Sequence, residues 1–297
     1  MDPIQVINRR KCLLTLLFSS VTVVCVCVGV VMNLTTLHDE NFDHMGLGTF
    51  CMFTVNSNIL AGISLFLAVP YSIDGLRNRF FRLPDWLVTL LFVTTTALSL
   101  TFLISLFVLA PVKGFVLIFT GSRFFLHGLC PILTIVTFCF VIKDLRLRFA
   151  STFLCLIPVF IYACIYFTLV EVIGEERGGW NDFYGFLTRI PPWISLSAFL
   201  PLTFGIATGL RVLHNWSVDR YRLKARAILQ EAYLAENMHD VIIHIASVNS
   251  KRDRTGNIVI PYRVLRMLLN SGEDESSFEE YCVLYMKECL KHEIWQE

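Results

Sequence analysis

The chain has 297 residues, of which 55% are hydrophobic and only 16% are charged, and its mean hydropathy is +0.62. Globular chains carry about 25% charged residues. A chain this apolar must hide its surface in lipid, which excludes a soluble globular domain. The formal net charge of +1 gives no sign of nucleic-acid binding, so we predict no nucleic-acid partner.

Six apolar stretches are long enough to cross a membrane, for which a helix needs about 20 residues. They cover residues 12–33, 48–70, 86–110, 115–142, 150–171 and 193–213. The first is long enough to span and no small-residue cleavage site follows it, so we interpret it as a retained signal anchor. We therefore predict an all-α membrane bundle of six transmembrane helices.

The loops between these stretches alternate in charge. Basic residues precede the first stretch and follow the second, fourth and sixth, whereas the alternate loops hold only Lys113, Arg177 and Arg189. The positive-inside rule then places both termini in the cytosol. We predict an integral protein of the cell membrane or an endomembrane, with cytosolic N- and C-termini.

The composition changes at about His214, where the chain becomes charged with helical periodicity. We predict two domains, a six-helix transmembrane domain over 1–213 and a cytosolic helical tail over 214–297. Within the tail we expect helices over 216–249 and up to about Ile294, with a turn at 250–257. Its basic start is suited to anionic headgroups, so the tail is a candidate to bind anionic lipid or a cytosolic partner.

Motifs for common cofactors and metals are missing from the sequence. Most of the ten cysteines lie in apolar runs, and neither a CxxC pair nor a Cys/His group with zinc spacing occurs. The sequence also lacks GxSxG, GxGxxG, Walker A and HExxH motifs. We expect no metal and no cofactor, and we interpret the cysteines as packing residues.

The second apolar stretch carries an unusual polar group, Thr54-Val55-Asn56-Ser57-Asn58. Thr54 and Asn58 are four residues apart and share one helix face, with Ser57 beside it. Polar residues in lipid are costly and are therefore functional candidates. The alternative is that these side chains form hydrogen bonds that hold helices together.

The fourth stretch contains Arg123 and His127, which are four residues apart and lie on one face. Counted from the outer ends of their spans, Thr54 and His127 fall at similar depths of about 10–15 Å, at 1.5 Å per residue. We therefore expect that they could meet. The alternatives are a structural histidine bonded to a backbone carbonyl and an arginine that snorkels to the interface.

A meeting of Thr54 and His127 would define a chemistry. A threonine hydroxyl becomes nucleophilic when a base takes its proton, and a neutral histidine can be that base. Attack on an ester carbonyl creates an oxyanion, to which Asn58 or Ser57 could donate. Arg123 could hold a substrate carboxylate.

Three segments carry a family resemblance: FTVNSN on the second stretch, LHGLCP on the fourth, and GGWNDFYGF before the last. Over about residues 10–213 the chain resembles the androgen-induced family of multi-pass membrane proteins and its bacterial six-span relatives. Animal members of that family are threonine hydrolases of fatty acid esters of hydroxy fatty acids. The resemblance implies Thr54 as nucleophile and His127 as base.

The function predicted from these features is an intramembrane hydrolase that takes a lipid (fatty acyl) ester from the bilayer. One alternative is a transporter or channel with a polar path lined by Asn56, Asn58, Arg123 and His127. Another is a membrane-anchored sensor or scaffold that acts through the cytosolic tail. The loop from Glu171 to Pro192 is long enough to form a lid, and a plain connection is the other interpretation.

Overall fold

A computed structural model describes residues 3–35, 46–78, 83–184, 192–234, 251–252 and 258–259, and almost all of them are helical. The α-helices are α1 Pro3–Thr35, α2 Phe53–Asn78, α3 Asp85–Ile104, α4 Ala110–Lys113, α5 Phe115–Ile118, α6 Gly121–Arg123, α7 Cys130–Val136, α8 Ser151–Leu154, α9 Leu156–Phe167 and α10 Pro192–Leu234. Helical turns of π type follow or join several of these at Ser105–Leu109, Phe124–Leu129, Thr137–Val141 and Thr168–Ile173. Short 3-10 helices cover Gly46–Cys51 and Glu175–Arg177.

Five helices in the described residues are long and apolar enough to cross a membrane, which indicates an integral membrane protein. In chain order these spans are Arg9–Thr35, Phe53–Arg77, Asp85–Lys113, Gly121–Val141 and Ser151–Ile173. They correspond to the first five predicted stretches. The sixth predicted stretch, 193–213, lies within α10, which continues to Leu234.

The third span is the centre of the bundle. Every residue from Thr94 to Thr101 is buried, and the threonine and serine hydroxyls in this segment donate to carbonyls of the same helix. It packs against α2, α7, α9 and α10. The fully buried Phe92 and Phe138 stack in this core with their ring centroids 5.6 Å apart.

The outside of the bundle is apolar. Along α1, Leu17, Val24 and Val31 repeat every seven residues and are each more than half exposed. Phe66 and Phe107 on the second and third spans are exposed in the same way. An apolar surface of this extent is suited to lipid and would be an aggregation hazard in water.

Two glycines set where the fourth span begins. The sequence predicts a single stretch over 115–142, but Gly114 (φ 99°) and Gly121 (φ 58°) adopt positive φ values that favour glycine. Gly114 separates α4 from α5, and Gly121 lies between α5 and the span, which therefore starts at Gly121.

A third glycine brings the first and fourth spans together. A Cβ added at Gly29 on α1 would lie 2.9 Å from Phe125 Cβ and 2.9 Å from the Leu126 side chain. Contacts this short require one of the helices to move. Gly29 therefore allows α1 to approach the segment that carries His127.

The predicted domain boundary at 213/214 falls inside α10, which crosses it without a break. Beyond Leu234, two short strands, β1 Lys251–Arg252 and β2 Ile258–Val259, pair antiparallel on either side of most of the turn predicted at 250–257. The predicted helix up to Ile294 and the end of the 216–249 helix lie outside the described residues.

Candidate functional site

Thr54 lies in the first turn of α2. The sequence predicts a span that begins at 48, but Gly46–Cys51 forms a separate 3-10 helix and α2 begins at Phe53. The Phe53 N–H donates to the Tyr184 hydroxyl over 3.1 Å, and the half-buried Thr54 side chain hydrogen-bonds with that same hydroxyl. Burial raises the pKa of the Tyr184 phenol, so this hydroxyl stays protonated at neutral pH.

Asn58 joins the second span to the fourth. Its side chain is fully buried, and its Nδ2 donates to the Thr54 carbonyl over 2.8 Å and to the Leu126 carbonyl over 3.0 Å. One side-chain nitrogen therefore links the Thr54 carbonyl to the carbonyl of Leu126, the residue that precedes His127. Both amide protons of Asn58 are used in these bonds.

Ser57 lies beside Asn58 and also points back towards Thr54. Its hydroxyl donates to the Thr54 carbonyl over 3.0 Å and lies 3.3 Å from Thr101 Oγ1 on α3. Both predicted oxyanion donors are thus engaged with the backbone of Thr54.

His127 lies in the π-helical turn of the fourth span, and its Nδ1 is 2.5 Å from Ser105 Oγ. Among the described residues, no hydrogen bond joins His127 to Thr54. The Nε2 atom of His127 also has no hydrogen bond there, and the residue is half-buried. Nothing in the local sequence singles out Ser105, since it is one hydroxyl among several in the third span.

Arg123 is half-buried and ends α6, one helical turn before His127. The preceding residue, Ser122, donates to Asn33 Oδ1 over 3.0 Å, while Asn33 Nδ2 donates to Thr49 Oγ1 over 2.7 Å. These bonds fix the end of α1 and the 3-10 helix against the fourth span.

An apolar cleft of about 150 Å³ opens on the side of the bundle between α2, α3 and α9. Ser57 contributes to it, whereas Thr54 and His127 do not line it. Its lining residues are Phe53, Asn56, Ser57, Leu60, Ala97, Pro158, Ile161, Tyr162 and Ile165.

The loop after the fifth span folds back over this end of the bundle. Tyr166 on α9 donates to Asp182 over 2.7 Å and accepts from the Tyr184 N–H over 3.2 Å. Tyr162 donates to the Cys51 carbonyl over 2.7 Å. Together with the bond between the Phe53 N–H and the Tyr184 hydroxyl, these contacts place Asp182 and Tyr184 against α9 and the first turn of α2. They do not distinguish a lid from a plain connection.

A second polar cluster, which we call the Lys11 cluster, lies at the opposite end of α1 and comprises Lys11, Asp144, His214 and Asn215. Lys11 Nζ and Asp144 Oδ1 form a buried ion pair of 2.5 Å. His214 Nδ1 and Nε2 lie 2.9 Å and 2.8 Å from two backbone carbonyls, and Asn215 pairs with both backbone groups of Leu147. The sequence patterns did not point to this cluster.

No metal-binding group of three or more His, Cys, Asp or Glu side chains occurs among the residues that the structure describes. Comparisons of the chain with models of protein families, with curated proteins and with solved structures each found no match.

Proposed function

We propose that the chain crosses the membrane six times, with 193–213 of α10 as the sixth span and both termini and the tail in the cytosol. α10 packs against α1, α3 and α9, and its Thr203 and Ala207 are fully buried. Its Leu202 and Val212 are exposed, as lipid-facing residues would be. The alternating charge of the loops supports this orientation.

We propose that the protein hydrolyses lipid (fatty acyl) esters taken from the bilayer, with Thr54 as nucleophile and His127 as general base. The observation that carries the proposal is the Asn58 side chain, which binds the Thr54 carbonyl and the carbonyl next to His127. It ties the helix of the nucleophile to the helix of the base, within the apolar part of the protein.

The reaction would run in two halves. Thr54 Oγ attacks the acyl carbonyl while His127 Nε2 takes its proton, and the tetrahedral intermediate collapses when His127 returns that proton to the leaving alcohol. Water, deprotonated by His127, then attacks the Thr54 acyl ester. The products are a fatty acid and the free Thr54 hydroxyl.

Closing the distance between Thr54 Oγ1 and His127 Nε2 is the step this mechanism requires, because no hydrogen bond joins the two residues in the described arrangement. A single water bonded to both atoms could carry the Thr54 proton to His127. Donation to the oxyanion from Asn58 or Ser57 requires exchange of a bond to the Thr54 carbonyl. The Tyr184 hydroxyl, which hydrogen-bonds with the Thr54 side chain, is a further candidate donor to the oxyanion.

The remaining residues suit an amphipathic lipid. The apolar cleft beside Ser57 faces the side of the bundle and could take an acyl chain. Arg123, one turn from His127, could bind the carboxylate of a hydroxy fatty acid ester. No cofactor is needed for this chemistry.

Labelling with an alkyl fluorophosphonate tests the proposal, since this probe phosphonylates an activated hydroxyl and releases fluoride. Purified protein in detergent should be labelled, and Thr54→Ala and His127→Ala should each abolish labelling. Thr89→Ala is the matched control, because Thr89 is a half-buried threonine near the start of α3 that bonds only within its own helix.

Absence of labelling in folded wild-type protein would overturn the proposal that the protein is a hydrolase. Solute flux across proteoliposomes that depends on Asn58 and Arg123 would then favour the transporter or channel. Loss of function on removal of residues after Leu234, with Thr54→Ala harmless, would favour the sensor or scaffold.

A further inference from the structure

The closest partner of His127 is a residue from a third helix. Ser105 Oγ lies 2.5 Å from His127 Nδ1, a short distance for a neutral hydrogen bond. Ser105 is in the third span, so the contact joins the central helix of the bundle to the fourth span. Within the described residues, the His127 ring makes no other hydrogen bond.

Both partners lie where the helix departs from α geometry. Ser105 begins the π-helical turn Ser105–Leu109, and His127 lies in the π-helical turn Phe124–Leu129. A π turn holds one extra residue and rotates the side chains that follow, and such turns are frequent at functional sites. Here two of them meet at one hydroxyl–imidazole pair.

Burial separates two roles that Ser105 could have. A nucleophile must be reached by substrate, but Ser105 is only 1% exposed. Thr54 and His127 are both half-buried. Ser105 is thus placed to act on the ring and not on the substrate.

The bond also decides which ring nitrogen can accept a proton. A neutral imidazole has one N–H and one lone pair. If Nδ1–H donates to Ser105 Oγ, the lone pair is on Nε2, the free nitrogen. If Ser105 donated instead, Nε2 would carry the proton and could not act as a base towards Thr54.

We propose that Ser105 is the positioning residue of His127: it accepts the Nδ1–H hydrogen bond and so holds the ring with its Nε2 lone pair available to the nucleophile. The inference rests on the proposed function and assigns to a neutral hydroxyl the part that a carboxylate plays in a Ser-His-Asp triad. The bond gives the ring a fixed tautomer and a fixed orientation.

The kinetics of fluorophosphonate labelling test this role. Ser105→Ala should lower the maximal labelling rate on the order of 10- to 100-fold, since a slightly misplaced base loses this much. The probe concentration for half-maximal rate should stay within about twofold, because the probe does not touch Ser105. Ser105→Thr, which keeps the hydroxyl, should restore most of the rate.

Ser99→Ala is the matched control. Ser99 is buried on the same helix, and its hydroxyl bonds to the Thr95 carbonyl of that helix over 2.7 Å. This variant should label like wild type. Equal losses in Ser99→Ala and Ser105→Ala would reduce the role of Ser105 to helix packing and overturn the proposal.

A spectroscopic readout separates this inference from the hydrolase itself. In ¹⁵N NMR of histidine-labelled protein, the His127 signal, assigned by its loss in His127→Phe, should show a protonated Nδ1 that Ser105→Ala abolishes or mixes with the other tautomer. An Nε2-protonated ring in wild type would overturn the inference even if Thr54 is labelled. A protonated Nδ1 that depends on Ser105 would support it even if no labelling occurs. If mass spectrometry located the fluorophosphonate adduct on Ser105, Ser105 would be the nucleophile, and this result would also overturn the inference.

Discussion

Two histidines lie in polar clusters at opposite ends of the bundle, and their hydrogen bonds differ. His214 has both ring nitrogens against backbone carbonyls, those of Phe138 and Leu145, and its ring stacks on Phe138 at 4.5 Å. His127 has Nδ1 against Ser105 and no bond on Nε2 among the described residues. A neutral His214 ring donates to one of its two carbonyls and has its lone pair blocked by the other, whereas no hydrogen-bond partner among the described residues faces the Nε2 atom of His127.

The hydrogen bonds around the two histidines also differ. In the Lys11 cluster, an ion pair and an asparagine that bonds both backbone groups of Leu147 tie the first span to the turn after the fourth span and to α10. Around Thr54, the links are hydroxyls and one amide, and they leave His127 Nε2 unused. Each end also has one buried oxygen without a hydrogen-bond partner among the described residues, Asp144 Oδ2 and Asn58 Oδ1, so the difference between the two ends lies in the histidine rings.

The same substitution at each histidine gives the largest contrast. His127→Phe should lower the fluorophosphonate labelling rate on the order of 10²- to 10⁴-fold, the usual contribution of a general base. His214→Phe should keep the labelling rate of the folded protein and lower its midpoint of thermal unfolding, because one buried backbone carbonyl loses its donor. Equal effects of the two changes on labelling would break the comparison.

The buried ion pair of the Lys11 cluster should matter for stability and not for labelling. Asp144→Asn or Lys11→Met alone should cost roughly 3–5 kcal/mol, since each leaves a buried charge without its partner. The double variant should recover much of that loss. Unfolding in detergent measures it, with Asp219→Asn as control, because the Arg146–Asp219 pair is about half exposed and should contribute little.

A loss of stability in Asp219→Asn equal to that in Asp144→Asn would contradict the importance of burial here.

Close packing of the first and fourth spans should support the Thr54 end in particular. Gly29→Ala forces a Cβ against Phe125 and Leu126, which should cost about 1–3 kcal/mol by overpacking and lower labelling. Gly205→Ala is the control, because no atom lies within 4 Å of its added Cβ. If Gly29→Ala labels and unfolds like wild type, the helix approach at Gly29 is looser than described.

The smallest effect is expected at the loop. Tyr184→Phe removes the hydroxyl that meets Phe53 N–H and Thr54, at a cost of about 1 kcal/mol and a several-fold loss of labelling rate. Tyr71→Phe, on an exposed tyrosine of α2, should change neither quantity. A Tyr184→Phe rate equal to wild type would mean that the loop covers the site without taking part in it.

Hydropathy was sufficient to predict the five spans, because each is a long apolar run. It missed the start of the second span and the break before the fourth, where a 3-10 helix and the positive-φ Gly121 interrupt runs that remain apolar. Backbone geometry at single residues decides such boundaries, and mean hydropathy does not report it.

Spacing within one helix predicted the polar residues of the second and fourth spans, and Asn58 does connect those spans. Ser105, Asp144 and His214 could not be found in this way, because their partners are 22, 133 and about 70 residues distant in sequence. Packing of separate helices creates these pairs. Whether Thr54 and His127 act together stays a prediction.

The most direct measurement is the site of the fluorophosphonate adduct, located by mass spectrometry of the digested wild-type protein. The account predicts one modified residue, Thr54, with the adduct lost in His127→Phe and kept in His214→Phe. An adduct on another residue, or its absence from folded protein, would contradict the claim that Thr54 is an activated nucleophile served by His127.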